Sequence, residues 1–194
     1  MDHLVDLHSH KNVLSKGTAV VSFRSGQVLS RDTILKDDHL LGGIRHDLEP
    51  RLLDVPNFRK AQMPGMEIYA SAQASVSGIV AVLTMLGAAP SRAAKDPQAP
   101  PPAPRRIVWI NAREEPLVYL NGRPYTLREQ EFPLRNIRRY SGVDASRVEQ
   151  MEQRLKADIV IEAAQYNGLI LIHEEQSKAR SSMTFFIATM IVIL

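Results

Sequence analysis

Apolar and polar positions change their spacing several times along the chain, and each spacing predicts a different kind of element. Residues 26–36 alternate as one or two strands do, and residues 66–73 are typical of a short strand. The segments between them, 37–50 and 55–65, carry the charge, glycine and proline of surface connections. Residues 1–23 show little periodicity, so we expect an irregular N-terminus.

A helix is predicted directly after these strands. Ser75 is suited to be its N-cap, and Gly87 to be its C-terminal stop. Apolar residues stand nearly all round this helix, at Val76, Ile79, Val80, Val82, Leu83 and Leu86. The pattern predicts a helix that is buried on every side, although Gly78 lowers its intrinsic helix propensity.

A β-hairpin is predicted in the middle of the chain. Residues 117–120 and 123–127 are strand-like, and Asn121-Gly122 between them supplies the two positive-φ residues of a type I′ turn. Pro124 removes one ladder donor, which predicts that the second strand lies at a sheet edge. Two shorter elements are predicted on either side of the hairpin, a strand over 107–111 and a short helix over 133–140.

The longest helix is predicted to begin at a capping box formed by Ser146 and Glu149. Its apolar stripe has three- and four-residue spacing and consists of Val148, Met151, Leu155, Ile159, Ala163 and Tyr166. Glu152 and Lys156 are spaced to pair on the outer face. A buried strand, 169–173, follows, and a helix followed by an apolar strand indicates an α/β fold.

Charge and composition exclude several classes of function. The 194 residues hold 24 Lys and Arg against 21 Asp and Glu, and a net charge of +3 gives no reason to expect nucleic acid as a partner. The sequence contains no cysteine, which excludes disulfides, thiolate zinc sites and cysteine nucleophiles within it. The N-terminus lacks the basic and apolar regions of a secretory signal, so we expect a cytoplasmic protein, and nothing indicates a cofactor.

Two segments have unusual composition. Residues 88–106 hold six of the twelve prolines, which predicts a solvated insertion within one domain or a ligand for a partner that binds polyproline helices. The tail from Met183 to Leu194 is almost purely apolar but shorter than the ~20 residues of a bilayer-spanning helix. A buried terminal strand or helix, an end produced by truncation or misread splicing, and a membrane-inserted tail all stay open.

A metal site is the first candidate chemistry. His8 and His10, in DLHSH, can give two imidazoles to one ion, but a metal hydrolase needs further ligands on later strands. His39, His46 and His173 have no ligand spacing, so we predict no metal site and treat a metal hydrolase as the least favoured function.

An arginine-rich segment is the second candidate. Eight arginines and no lysine lie between Arg105 and Arg139. Planar guanidinium groups suit bidentate binding of phosphate or carboxylate, so Arg113, Arg123 and Arg128 are candidate phosphate-binding residues. The competing interpretation is that the arginines pair across the hairpin with Glu114, Glu115, Glu129 and Glu131.

Several stretches together resemble the paladin-like family, tandem-repeat proteins with tyrosine-phosphatase-like, inositol-phosphatase-like domains. They are RSGQVLSRDTILKDDHLLGG (24–43), VPNFRK (55–60), VWINAREEPLVYLNGRPYTLRE (108–129) and RRYSGVDASRVEQMEQRLKADIVIEAAQYNGLILIHEE (138–175). The resemblance implies an α/β fold over residues 24–175, an incomplete tyrosine-phosphatase-like (dual-specificity or phytase-like) domain with a mixed sheet and flanking helices. It also implies a phosphorylated small molecule such as an inositol polyphosphate, or a phosphoprotein, as the partner.

Complete domains of this family continue to a Cys-x5-Arg loop, where a thiolate attacks phosphorus and an aspartate protonates the leaving group. This sequence departs from the family at about Gln176, its tail 176–194 has no evident counterpart, and it has no cysteine, so we assign no catalytic residue. The resemblance therefore implies a catalytically inactive, truncated fragment or pseudophosphatase that retains anion binding. The alternative is a scaffold or interaction module that acts through the proline-rich segment and the apolar tail.

Overall fold

The computed structural model describes residues 20–39, 52, 54–88, 105–174 and 184–187. The longer helices are α1 (Val76–Met85) and α2 (Ala145–Gln165), residues 20–23 are also helical, and a 3-10 turn spans Arg138–Tyr140. The strands are β1 (Thr33–Asp37), β2 (Arg59–Lys60), β3 (Tyr69–Ala70), β4 (Leu117–Leu120), β5 (Arg123–Glu129), β6 (Leu171–Glu174) and β7 (Thr184–Ile187). The predicted α/β class, with a mixed sheet and two main helices, is confirmed.

The described residues fall into two compact units. The first comprises residues 20–38, 113–121, 125–174 and 184–187, and the second comprises residues 39, 52, 54–88, 105–112 and 122–124. Each unit has its own cluster of buried apolar side chains. The proline-rich segment lies outside the described residues from position 89 to position 104.

The first unit is built on a five-stranded mixed sheet in the order β4-β5-β1-β6-β7. Strand β1 is antiparallel to β5 and parallel to β6, and β7 is antiparallel to β6. Helix α2 packs on one face of this sheet. The core that they share consists of Val28, Leu29, Leu35, Val118, Leu120, Tyr125, Leu127, Ile137, Leu155, Ile159, Ile170 and Ile172.

The stripe predicted for α2 is largely confirmed. Val148, Met151, Leu155 and Ile159 are buried, whereas Ala163 and Tyr166 are only half-buried. The sequence pattern missed a polar member of the buried face, Glu162. The apolar spacing therefore located the face of α2 that packs on the sheet, but it did not show that a carboxylate lies on that face.

The hairpin of β4 and β5 has the predicted turn. Asn121 has φ 51° and Gly122 has φ 79°, as a type I′ turn requires. The prediction that β5 is an edge strand is wrong, because β5 lies between β4 and β1. Pro124 is tolerated there because the residues of β5 that pair with β1 are Tyr125 to Glu129. Pro124 precedes them, so its missing N–H falls outside that ladder.

The predicted capping box of α2 is wrong. Asp144 is the N-cap, and its carboxylate accepts the N–H of Arg147 at 2.9 Å and the hydroxyl of Ser146 at 2.7 Å. These two bonds, the one from Ser146 first, hold the pKa of Asp144 below its usual range. Aspartate and serine are about equally good N-caps, so the local pattern alone could not decide between them.

A carboxylate on α2 holds the loop that leads into β1. Asp158 accepts the backbone N–H groups of Gln27 at 3.2 Å, Val28 at 2.7 Å and Leu29 at 2.9 Å. Gly26 allows this close approach, because a Cβ there would lie 2.5 Å from the Asp158 carboxyl carbon. The loop is therefore fixed to the helix by an anion from its own chain.

A buried ion pair lies beside this loop. Arg24 Nε donates to Glu162 at 2.7 Å, and its two terminal nitrogens donate to Glu162, to the carbonyl of Thr33 and to the carbonyl of Leu171. Glu162 also accepts the N–H of Leu171 at 3.2 Å. Arg24 thus connects the beginnings of β1 and β6 to α2 with hydrogen bonds that leave few donors unsatisfied.

In the second unit, α1 has the predicted N-cap but not the predicted burial. The Ser75 hydroxyl oxygen accepts the N–H of Gly78 at 3.0 Å. Gly78 and Val82 are the buried residues of the helix, whereas Val80 and Met85 are exposed. The prediction that α1 is buried all round is therefore wrong for the described part of the unit.

The strand predicted over 107–111 is absent. Residues 105–116 have no regular secondary structure, and Val108 and Ile110 are 80% and 83% exposed. Residues with high strand propensity form a strand only where a neighbouring strand can pair with them. In the described part of this unit β2 and β3 pair with each other and not with residues 107–111. The short helix predicted over 133–140 is likewise reduced to the 3-10 turn.

The surface connection predicted over 37–50 is partly wrong. Asp37 is the last residue of β1, and both Asp37 and His39 are buried. Residues 40–50 lie outside the described residues. In the apolar tail, residues 184–187 form a strand, β7. Within the part of the chain that the structure describes, no helix is long and apolar enough to cross a bilayer.

Candidate anion-binding site

The face of the sheet opposite α2 carries charge. Leu35 and Leu127 pair across β1 and β5 and belong to the core on the α2 side. Because side chains alternate along a strand, their neighbours Lys36 and Arg128 point to the other side. Lys36 is 5% exposed, so this face is not simply open to solvent.

The three consecutive charged residues before β4 each contact a different element. Arg113 Nη1 donates to Asp38, which follows β1. Glu114 accepts the N–H of Gly142 at 3.1 Å, just ahead of α2. Glu115 accepts Nη1 of Arg128, on β5, at 2.7 Å. The segment is therefore fixed to three parts of the first unit by its own charges.

The two arginine pairs are shielded from water. The side chains of Arg128 and Glu115 are 12% and 4% exposed, and those of Arg113 and Asp38 are 17% and 14% exposed. The interpretation that arginines pair with glutamates across the hairpin holds for Arg128. For Arg113 the partner is Asp38, which the sequence did not indicate. We call Lys36, Asp38, Arg113, Glu115 and Arg128 the charged face.

The three candidate arginines are not all on one surface. Arg123 and Arg128 are five residues apart on β5, and an odd separation along a strand directs two side chains to opposite faces. The alternation of side chains therefore directs Arg123 and Arg128 to opposite faces of β5, and only Arg128 belongs to the charged face. Two candidates remain at the segment 113–115, because Arg113 is its first residue and Arg128 pairs with its last residue, Glu115.

The charged face carries cationic groups of the kind that contact anions, but it has no cysteine nucleophile. Its three cationic side chains outnumber its two carboxylates, and guanidinium groups are suited to phosphate oxygens. The whole sequence contains no thiol. Among the described residues, no three His, Asp or Glu side chains are grouped to hold a metal ion. His8, His10 and His46 lie outside the described residues.

Glu152 of α2 supports the start of the hairpin. Its carboxylate accepts the N–H of Leu117 at 3.0 Å, so it does not lie on the outer face where we predicted a pair with Lys156. Burial is the main cause that raises the pKa of Glu152 above its ordinary value of 4.5, and the bond from Leu117 only partly opposes it. The folded state therefore holds a proton on Glu152 more readily than the unfolded chain does.

We expect Glu152→Gln to raise the thermal midpoint at pH 7 and to leave it nearly unchanged near pH 4. Because the pKa of Glu152 is higher in the folded state than in the unfolded chain, its contribution to stability is fully present below the unfolded pKa. This contribution is lost as the pH rises through the folded pKa. Glutamine retains an oxygen for the Leu117 N–H and carries no charge to bury. Thermal unfolding from pH 4 to pH 8 measures the difference, and an equal gain at both ends would contradict it.

Comparison with known proteins identifies the class. A family model for tyrosine-phosphatase-like phytases, described as inositol hexakisphosphate, matches residues 110–191. The matched region includes the segment before β4, the hairpin, α2 and β6, so most of the charged face comes from it. It also continues beyond Gln176, where we expected the resemblance to end, and includes β7. The fold and this match define a tyrosine-phosphatase-like protein.

A more particular relative is human paladin, which is 30% identical over 143 residues. The alignment covers 70% of this chain and 14% of paladin. The chain belongs to the paladin-like, tyrosine-phosphatase-like family. No solved structure matches it.

Proposed function

We propose that this chain is a catalytically inactive, phosphate-binding portion of a tyrosine-phosphatase-like inositol phosphate phosphatase, a pseudophosphatase of the paladin type. The observation that carries the loss of activity is the absence of cysteine from all 194 residues. Phosphoryl transfer by the family's thiolate mechanism requires a sulfur nucleophile, and none of the five residues of the charged face supplies one. A cytoplasmic location is part of the same proposal.

The charged face supports the binding half of the proposal. Lys36, Arg113 and Arg128 lie on or beside one surface of the sheet, and the two arginines are restrained by their carboxylate partners. An anionic ligand has to compete with Asp38 and Glu115. Only a ligand with several phosphates offers enough charge to do so, because each added phosphate contributes further charge-assisted hydrogen bonds. The name of the matched family model points to inositol hexakisphosphate as the first ligand to test.

The two pairs differ in how readily a ligand can reach them. Asp38 is more exposed than Glu115, and Arg128 would leave Glu115 as a buried, unpaired charge if it turned to a ligand. We therefore place the first contact at Arg113, with Lys36 and Arg128 contributing mainly through their field. Arg123 is expected to contribute least, because it lies on the other side of β5.

Titration calorimetry with inositol hexakisphosphate tests the binding. We expect the double variant Arg113→Gln/Asp38→Asn to bind at least fivefold more weakly than the wild type. It removes an arginine but leaves the net charge and the pairing balance unchanged. The matched control is Arg105→Gln, which removes an exposed arginine of the second unit and lowers the net charge by one. If the double variant bound inositol hexakisphosphate as tightly as the wild type, or if Arg105→Gln lost more affinity than the double variant, the binding would be a non-specific attraction between the ligand and the positively charged protein.

A phosphate-release assay on the same preparations tests the inactivity separately. Dose-dependent release of inorganic phosphate by the pure chain would contradict it. If neither binding nor release is observed, the alternative role as a binding module is favoured. Its support is the exposed apolar run at Val108 and Ile110, next to the proline-rich segment.

A further inference from the structure

The sequence Arg138-Arg139-Tyr140-Ser141 lies on the surface between the hairpin and α2. Arg138, Arg139 and Ser141 are exposed, and Tyr140 is half-buried against the core. The segment forms the 3-10 turn and the residues that follow it. The Ser141 hydroxyl is thus exposed to solvent, and exposed arginines stand two and three positions before it in the sequence.

Most backbone hydrogen bonds of this segment are local. The N–H groups of Tyr140, Ser141 and Val143 donate to carbonyls three residues back, at 3.0, 3.1 and 3.1 Å. None of these three bonds belongs to the sheet or to α2, so a kinase can open them without breaking a bond of either element. The longer-range bond runs from the N–H of Gly142 to Glu114, and it is exposed.

We propose that Ser141 is a phosphorylation site for an arginine-directed serine/threonine protein kinase. Kinases of this kind hold the residues before the target serine with carboxylates, which Arg138 and Arg139 match. In the reaction Ser141 Oγ forms a bond to the γ-phosphorus of ATP while the bond to the β,γ-bridging oxygen breaks. The hydroxyl proton passes to the catalytic aspartate of the kinase, and ADP leaves with the bridging oxygen.

The phosphate would act on the bond between Glu114 and Gly142. Phosphoserine carries about −1.5 to −2 charges at pH 7, and it would lie one residue from Gly142. The Glu114 carboxylate and the N-cap carboxylate of Asp144 are the nearby negative groups that the structure shows. Repulsion weakens the contact of Glu114, so one of the three attachments of the segment 113–115 is lost. This inference does not depend on the proposed function, since neither the phosphorylation of Ser141 nor the weakening of the Glu114 contact requires anion binding.

The test incubates the folded, full-length chain with ATP and the purified catalytic domain of an arginine-directed kinase, and maps the phosphate by mass spectrometry. We expect one phosphate on Ser141, none in Ser141→Ala, and a rate at least tenfold lower in Arg138→Gln/Arg139→Gln. Arg135→Gln, six positions before the serine, is the matched control and should react like the wild type. Incorporation elsewhere, or in a synthetic peptide but not in the folded chain, would overturn the proposal.

Hydrogen exchange on the phosphorylated protein tests the consequence. Peptides that cover residues 113–116 and 141–143 should exchange faster after phosphorylation, and Glu114→Gln should reduce the difference at least by half. A phosphorylated chain whose exchange in both peptides equals that of the unmodified chain would retain Ser141 as a site but overturn the release of Glu114.

Discussion

Replacing Arg24 with methionine is expected to lower the free energy of unfolding by about 3–5 kcal/mol, which is the usual cost of leaving one member of a buried ion pair alone. The side chains of Arg24 and Glu162 are 2% and 7% exposed, so water cannot take the place of the lost guanidinium. The substitution also leaves the carbonyls of Thr33 and Leu171 without this donor. A loss of this size is a large part of the about 5–15 kcal/mol that stabilises a typical domain.

The control removes both charges. The double variant Arg24→Met/Glu162→Met should be more stable than Arg24→Met alone, because it no longer buries an unpaired carboxylate, though the Leu171 N–H also loses an acceptor. Arg105→Met, which breaks an exposed pair with Glu67, should leave the stability close to that of the wild type, because water solvates both charges once the pair is broken. Urea unfolding of the four proteins measures all three effects. A double variant less stable than Arg24→Met would mean that lost hydrogen bonds, not the unpaired charge, dominate.

The elements that were predicted correctly are those whose signals are local. The Asn121-Gly122 turn is decided by the two residues that must adopt positive φ, and the stripe of α2 by spacing within one helix. The N-cap Ser75 is equally local. In each case the physical cause lies within a few residues of the element, so a single sequence contains it.

Apart from the N-cap of α2, where Asp144 and Ser146 compete locally, the main features that were missed depend on distant partners. Arg24 and Glu162 are separated by 138 positions, and nothing near either residue indicates the other. The strand-like run 107–111 has the right residues, but a strand also needs a neighbouring edge, which the described residues do not give it. The burial of α1 failed for the same reason, since an apolar surface is buried only if something packs on it.

The candidate site shows both limits. Arginine enrichment indicated a segment, and the structure places two of the three candidate arginines, Arg113 and Arg128, on the charged face. Arg123 and Arg128 lie on one strand and are an odd number of residues apart. This spacing alone indicates that they do not share a surface. Asp38 could not have been identified as the partner of Arg113 from sequence, because the two are 75 positions apart.

Gly78 of α1 should not tolerate even alanine. A Cβ at this position would lie 2.2 Å from the carbonyl oxygen of Asp54 and 2.9 Å from a methyl group of Val55. The first of these is backbone, and it also accepts the N–H of Ser75 at 3.1 Å, so it cannot move without breaking the N-cap region. Alanine gains about 1 kcal/mol of helix propensity over glycine, but such overpacking costs about 1–3 kcal/mol or more. We expect Gly78→Ala to be net destabilising.

The matched control lies two turns further along the same helix. Thr84 is exposed, and its hydroxyl donates only to the carbonyl of Val80, one turn back. Thr84→Ala therefore gains helix propensity without a clash, and its midpoint should equal or exceed that of the wild type. Urea unfolding followed by circular dichroism compares the two variants. If Gly78→Ala were as stable as Thr84→Ala, Asp54 would have to move away from the helix freely, and the glycine would then be explained by neither packing nor propensity.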